Sequence, residues 1–268
     1  MANVKAIAEG DKMNLMAQGI KRGTNITSLK VDPRLERRVL TGIGWVDDVL
    51  GAGDKEQGIT PSTSVLFTGT PGAGKSTLSL QIADAWTGQG NICLYNTNEE
   101  SALQIRKVVK RLNLRSGFII GEDRLVPEMI SHARFLMNRS PKADLLVICD
   151  SIQVHDDGFY SNGTTNTQTP VRVTNMLTSF CKETFSVAFL IGQVNKDGKF
   201  SGKQAIKHAV DVHAHLNIDQ KPDSETFGKR IFKVEKNRFG LSQVGYFLGM
   251  DGERGLFEDG TWSPMIEE

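Results

Sequence analysis

The chain has 268 residues, room for one large α/β domain or two small ones, and an apolar fraction of 39% is compatible with a real core. Lys and Arg number 32 against 31 Asp and Glu, and a net charge of +1 excludes a global field that advertises a nucleic-acid partner, so any basic surface must be local. The three scattered cysteines, Cys93, Cys149 and Cys181, form no C-x-x-C pair, which argues for a reducing compartment and against a disulfide framework or zinc ribbon.

The N-terminal stretch lacks the uninterrupted apolar core of a signal peptide, and no apolar run approaches a membrane span. The expectation is a soluble, cytoplasmic protein with no membrane partner. Residues 1–39 are polar and mildly basic, with Lys21-Arg22 and Arg37-Arg38 as small clusters and a weak helical pattern over Asn14 to Ile20. They read as an N-terminal arm, flexible or subunit-linking, ahead of a folded domain over 40–268. That domain opens on VLTGIGWVDDVLG, where Thr41 caps a helical turn carrying Ile43, Val46, Val49 and Leu50.

Ser64 to Thr77, SVLFTGTPGAGKST, is the stretch around which the chain is organised. An apolar strand (Val65, Leu66, Phe67) enters a glycine-rich turn completing G-x-x-x-x-G-K-[ST], and a helical pattern follows with Leu78, Ile82, Ala85 and Trp86 on one face. Glycines let the backbone approach closely, so the loop Gly69, Thr70, Pro71, Gly72, Ala73, Gly74, Lys75, Ser76, Thr77 can cradle a triphosphate with its N–H groups. Lys75 supplies a point charge for the β- and γ-phosphates, and the Ser76 hydroxyl can ligate Mg²⁺. ATP with Mg²⁺ is therefore the expected ligand.

Downstream, Ile92 to Asn96 reads as a strand, Ala102 to Leu112 as a helix, Phe118 to Ile120 as a short strand and Pro127 to Asn138 as a helix. Leu145 to Asp150 is a continuous apolar run ending in an acid, the mark of a central parallel strand. A long polar loop, His155 to Pro170, precedes a helix over Val171 to Phe185 and a strand over Val187 to Gly192. A second polar loop runs from Asn195 to about Ile206. Strands over Val210 to Ile218, Arg230 to Lys236 and Gln243 to Leu248 close the chain. The alternation implies a mostly parallel sheet covered on both faces, with the last strands extending its edge.

Asp150, at a strand end facing the nucleotide, suits a metal-holding carboxylate working through a water. Glu99 and Glu100 also follow a strand end. Hydrolysis needs a carboxylate to orient or deprotonate the attacking water, although an acid pair at a helix start is also stabilised by the helix dipole, and Glu100 can cap while Glu99 works. Gln193 ends the next apolar strand and can sense the γ-phosphate. Lys236 and Arg238, in KVEKNRFG, fit either a catalytic pair or a solvated hairpin tip. His213 and His215 share a strand face, but no cysteine or carboxylate stands at metal-ligand spacing, so they read as ordinary strand residues.

TGIGWVDDVLG, GTPGAGKST, NEESALQIRKVVKRL, LLVICDSIQ and above all VEKNRFG resemble, in order over roughly residues 40–260, the RecA-type ATPase core of the bacterial RadA (Sms) family. RecA, the DnaB-type replicative helicases and KaiC are more distant relatives of that family. The resemblance implies an α/β RecA-like P-loop NTPase core, with helices on both faces of a mostly parallel central sheet and an antiparallel C-terminal edge. It makes Lys236 and Arg238 candidates to reach a neighbouring subunit's γ-phosphate, which implies a homo-oligomeric ring, expected to be a hexamer.

The two long loops match the DNA-binding loops of RecA-like proteins. Lys196, Lys199 and Lys203 are then expected on phosphates of single-stranded DNA, and Phe200 or Tyr160 on a base. The family's N-terminal four-cysteine zinc ribbon and C-terminal protease-like domain have no counterpart in this sequence, and Gln193 stands where many RadA sequences carry His. A core of this kind suits a phage or mobile-element version.

The functional expectation is a DNA-dependent ATPase motor, a translocase or helicase in recombination or repair, with recombinase or replication proteins as further partners. An oligomeric ATP-driven switch of the KaiC kind, with a protein partner, is the rival reading. A small-molecule kinase, which needs an acceptor pocket and an arginine-rich lid, is the weaker one.

Overall fold

Apolar runs with no polar face, such as residues 145–149, can be buried only between two layers, and six strands pair side by side in parallel. They are β1 (Ser64–Gly69), β2 (Ile92–Thr97), β3 (Ile119–Gly121), β4 (Leu145–Asp150), β5 (Val187–Gln193) and β6 (Val212–Ile218). Three antiparallel strands, β7 (Arg230–Asn237), β8 (Val244–Asp251) and β9 (Gly255–Trp262), extend the β6 edge. The resulting sheet has the order β3-β2-β4-β5-β1-β6-β7-β8-β9. This computed structural model describes residues 20–21, 23–51, 56–193, 204–220 and 222–262.

The strand period of two divides the core into two layers. Val65, Phe67, Leu146, Ile148, Phe189 and Ile191 face one layer. It is covered by α1 (Gly44–Leu50), α2 (Lys75–Gly88) and α3 (Ala102–Arg111), through Trp45, Leu78, Ile82, Trp86 and Ile105. Leu66, Leu145, Val147, Ala188 and Leu190 face the other, covered by α4 (Val126–Arg139), α5 (Thr169–Thr184) and α6 (Gln204–Ala209). The RecA-like doubly covered sheet with an antiparallel C-terminal edge is thus the observed architecture.

Several local expectations change. The N-cap of α3 is Ser101, in a reciprocal capping box with Gln104, so Glu100 does not cap the helix. The second polar loop ends earlier than its polarity suggests, because Ile206 buries its side chain and α6 starts at Gln204. The strand β9 carries no alternating apolar signal and forms by pairing with β8. Upstream of Val39, Asp32 caps the turn Pro33–Leu35, Arg34 lies 3.7 Å over the Phe185 ring and Arg37 pairs with Asp144. Both partners precede strands, at the end of the sheet away from the glycine-rich loop. Of the weak helical pattern over 14–20, all but Ile20 lies outside the described residues, and Ile20 is not helical.

Candidate functional site

The parallel strands β1, β2, β4 and β5 all end at one edge, so the residues after them converge there. Gly69 closes β1 against β6 so tightly that a Cβ would stand 2.1 Å from the Leu216 carbonyl oxygen. The Thr70 amide donates to that same carbonyl (3.1 Å), and Thr70 Oγ1 accepts from the Ile218 amide (3.3 Å), so β6 fixes the loop's first turn. Gly74 adopts φ 109° as the residue before α2, with Leu256 Cδ1 3.0 Å from where a Cβ would lie. The first helical amide bond is Leu78 to Gly74 (2.9 Å), which leaves the amides of Lys75, Ser76 and Thr77 as helix-start donors.

Lys75 folds back over this concavity, its Nζ donating to the carbonyls of Gly69 (2.8 Å) and Thr70 (3.4 Å). Burial lowers its pKa, against the attraction of Asp150 and Glu99, which raises it. Asp150 is 7% exposed, and its Oδ2 accepts from the Tyr95 hydroxyl (2.7 Å). Burial pushes its carboxyl up to about 6, although the Tyr95 hydrogen bond works the other way, and burial raises the Tyr95 hydroxyl well above its ordinary range. Such a carboxyl gains from a cation. Beside the exposed Ser76 hydroxyl and the Lys75 charge, the set fits Mg²⁺ with a triphosphate.

Glu99 lies beside them. Its Oε1 accepts from Gln193 Nε2 (2.7 Å) and from the Ser151 hydroxyl, while the Thr97 hydroxyl holds the Glu99 amide (3.2 Å). Residues at the ends of β2, β4 and β5 therefore meet in one carboxylate–hydroxyl–amide cluster. Glu100 is exposed, and its amide shares Thr97 Oγ1 at 3.5 Å.

Besides Tyr95 and Thr97, two more participants escaped the sequence reading. Ser151 signals itself only as the residue after the strand-terminal acid. Arg230, at the start of β7, donates from Nε to the Ala73 carbonyl (3.1 Å) inside the glycine-rich loop. No spacing in the sequence links Arg230 to that loop, because only the β1–β6–β7 pairing brings it there.

Lys236 and Arg238 stand at the far end of β7 and are engaged by their own chain. Lys236 Nζ donates to the carbonyls of Val210 (2.6 Å), Lys207 (2.8 Å) and His208 (3.4 Å), and burial lowers its pKa. Arg238 Nη1 donates to Asp211 Oδ1 (3.0 Å). The other Asp211 oxygen accepts from the Ser64 amide (3.0 Å) and hydroxyl (2.9 Å).

His213 and His215 both reach Thr68 Oγ1 (2.8 Å each), and His213 also pairs with Glu235 (3.1 Å). This hydrogen-bond ladder joins β1, β6 and β7. Cys93, Cys149 and Cys181 are buried free thiols.

The first polar loop is less solvated than its composition suggests. His155, Asp156 and Asp157 are buried, and Asp157 pairs with Arg172 of α5. Above that pair Phe159 and Tyr160 pack edge to face (4.9 Å) and stay 50% and 38% exposed, with the Arg172 guanidinium 4.6 Å from the Phe159 ring. Lys196, Lys199, Phe200 and Lys203 lie outside the described residues. Among the described residues no helix is long and apolar enough to cross a membrane.

A family model described as "ATPase: KaiC" matches residues 39–244. The DNA repair protein RadA of Mycobacterium tuberculosis is 36% identical over 228 residues, 83% of this chain and 45% of that protein. RadA of Aquifex aeolicus is 33% identical over 223 residues, 82% of this chain and 46% of its own length. The chain spans about half the length of the curated relatives it matches. The solved KaiC-like protein of Pyrococcus horikoshii superposes with a TM-score of 0.62, covering 83% of this chain and 99% of that one at 18% identity. A second solved ATPase domain reaches 0.65 over 72% of this chain and 83% of its own at 15% identity. At such identities these structures speak for the fold alone. With the glycine-rich loop in its strand-to-helix setting and a family model spanning most of the sequence, the chain belongs to the KaiC family of RecA-like ATPases.

Proposed function

We propose that this protein is an ATP-dependent, ring-forming motor on single-stranded DNA, working in recombination or repair. The observation that carries the reading is the meeting of Lys75, Asp150, Glu99 and Gln193 at one sheet edge, beside a loop shaped for a triphosphate. The loop amides and Lys75 bind the phosphates, and the nucleoside lies outside the cradle. Ser76 and Asp150 are the residues that would hold Mg²⁺, which would supply positive charge against the phosphates. Glu99 takes the proton of the attacking water, and the Ser151 and Gln193 donors orient its carboxylate for that task. Gln193 also reports the state of the γ-phosphate to the second polar loop.

Arg238 and Lys236 serve the neighbouring subunit's nucleotide, so each complete site needs two copies in a ring, for which a hexamer is the expected closure. The names of the RadA relatives, DNA repair proteins, favour DNA as the substrate. Exposed Phe159 and Tyr160 offer stacking faces for bases, and Lys196, Lys199, Phe200 and Lys203 of the second loop are the proposed phosphate and base contacts. Strand movement follows from loops that change position as the sites fire in turn, with a recombinase or replication protein as loader.

Steady-state ATP hydrolysis with and without single-stranded DNA, at low and moderate salt, tests the reading. Stimulation that weakens with salt is expected, because phosphate contacts release counterions. Hydrolysis indifferent to DNA at every salt overturns the motor and favours an ATP-driven switch with a protein partner.

A further inference from the structure

Lys236 and Arg238 leave the same strand end in different conditions. An ammonium has three N–H donors, and Lys236 meets three carbonyls, those of Lys207, His208 and Val210. These carbonyls lie in the last turn of α6 and just beyond it, where helical carbonyls run out of amide partners and favour a cation. Arg238 uses Nη1 on Asp211 and Nη2 on the His208 carbonyl (3.0 Å each), and its side chain remains 45% exposed. Arg238 can therefore turn a spare donor outward without leaving its anchor. Lys236 cannot offer a donor to any other acceptor without giving up one of these carbonyls and loosening the end of α6.

What α6 is attached to gives this a consequence. The helix follows the second polar loop directly in the sequence, and that loop begins after Gln193, whose amide holds Glu99. Inward, α6 is fastened by buried Ile206 and Val210, and a 3.8 Å ion pair joins Lys207 to Glu235 of β7. Among the described residues, the polar ties of this six-residue helix to β7 and the residue after it are Lys207–Glu235 and the carbonyls that hold Lys236 and Arg238.

We propose that Lys236 is a two-position latch. With the neighbouring site empty, it holds the carbonyl end of α6; with a nucleoside triphosphate there, its ammonium transfers to the phosphate and frees α6. The inference rests on the shared-site part of the reading above, since another subunit must supply the phosphate, but it does not need DNA. The carbonyls offer the ammonium only dipoles, whereas a phosphate brings full opposite charge, so a phosphate within reach competes with them for Lys236. Linkage makes the coupling reciprocal: a ligand that draws α6 away from β7 makes Lys236 more available to the neighbouring phosphate.

The test is amide hydrogen exchange on the full chain with Mg²⁺ and a non-hydrolysable ATP analogue, without DNA. Amides of 206–211 are expected to exchange several-fold faster when the analogue is bound and the subunits are assembled. Lys236→Met keeps the aliphatic stem, and its amides should exchange fast with and without the analogue. Assembled, analogue-bound wild-type protein whose α6 exchange is unchanged overturns the latch and leaves the shared site standing. Slow α6 exchange in Lys236→Met also overturns it. Failure of the wild type to assemble with the analogue bound overturns the shared site, and the latch with it. The wild-type comparison stands even if the variant does not fold.

Discussion

The glycine-rich loop and the far end of β7 each present a lysine to main-chain carbonyls, and the two are held for different reasons. Lys75 meets Gly69 and Thr70, six and five residues upstream in the same turn. Its neighbours follow from the spacing of one contiguous stretch, and the pocket around it is shaped for an anion. Lys236 meets carbonyls 26 to 29 residues away, in and just after a helix that belongs to another layer. Its surroundings are already satisfied by its own chain. A nucleotide would complete the first arrangement, whereas on the proposed shared site it would have to compete with the second.

Substitutions at each end can break or sharpen this contrast. Arg238→Ala is expected to lower hydrolysis most, by about 10³–10⁵ if it acts as an arginine finger, with ATP binding kept. Mixing it with Lys75→Ala should restore part of the activity, because each variant then supplies what the other lacks. No regain on mixing would remove the shared site. Glu99→Gln should lower kcat by about 10²–10⁴ with nucleotide affinity retained, the signature of a lost general base. A kcat near wild type moves that role to Glu100.

Lys75→Ala should cost about 10²–10³ in kcat and weaken ATP binding as measured by titration with a fluorescent analogue. Lys236→Met should bind ATP normally in the same titration. Equal losses in the two variants would erase the distinction between the ends.

Two smaller effects probe the regions between. Burial pushes the His215 imidazole down from 6.5 to about 4, so the folded chain keeps it neutral while the unfolded chain takes a proton. Stability should therefore be complete above pH 6.5 and fall as pH drops to about 4, by at most ~3 kcal/mol. His215→Gln should flatten that slope in thermal melts, and an unaltered slope would assign it to other groups. Tyr160→Ala should weaken single-stranded DNA binding by about 1–3 kcal/mol per stacked base, measured by anisotropy. Unchanged affinity would leave the first loop out of the interface.

The long apolar runs and the 3.6-residue patterns were readable before any fold was known, because burial on two faces admits few arrangements. So were the glycine-rich loop, the acid ending β4 and the amide ending β5. Glu99 was legible as a carboxylate near a strand end, but its hydrogen bonds to Ser151 and Gln193 depend on β4 and β5 lying next to one another. Glu100 does not cap α3 as its place at the helix start suggests, because the hydroxyl of Ser101 beside it takes the third helical amide. The short α6 was hidden by its polar composition, and β9 by the lack of an apolar face, since both exist by docking on elements distant in sequence.

The sequence by itself determined the layered α/β architecture and the triphosphate cradle, because periodicity, glycine positions and a contiguous Lys-Ser pair are local properties. Tertiary structure alone decided which strand ends share one carboxylate, which arginine steadies the cradle, and that Lys236 and Arg238 are held by α6 and Asp211. The physical reason is the same throughout. Local spacing sets what a turn or helix can present, but hydrogen-bond partners separated by many residues are chosen by strand order and by packing between layers.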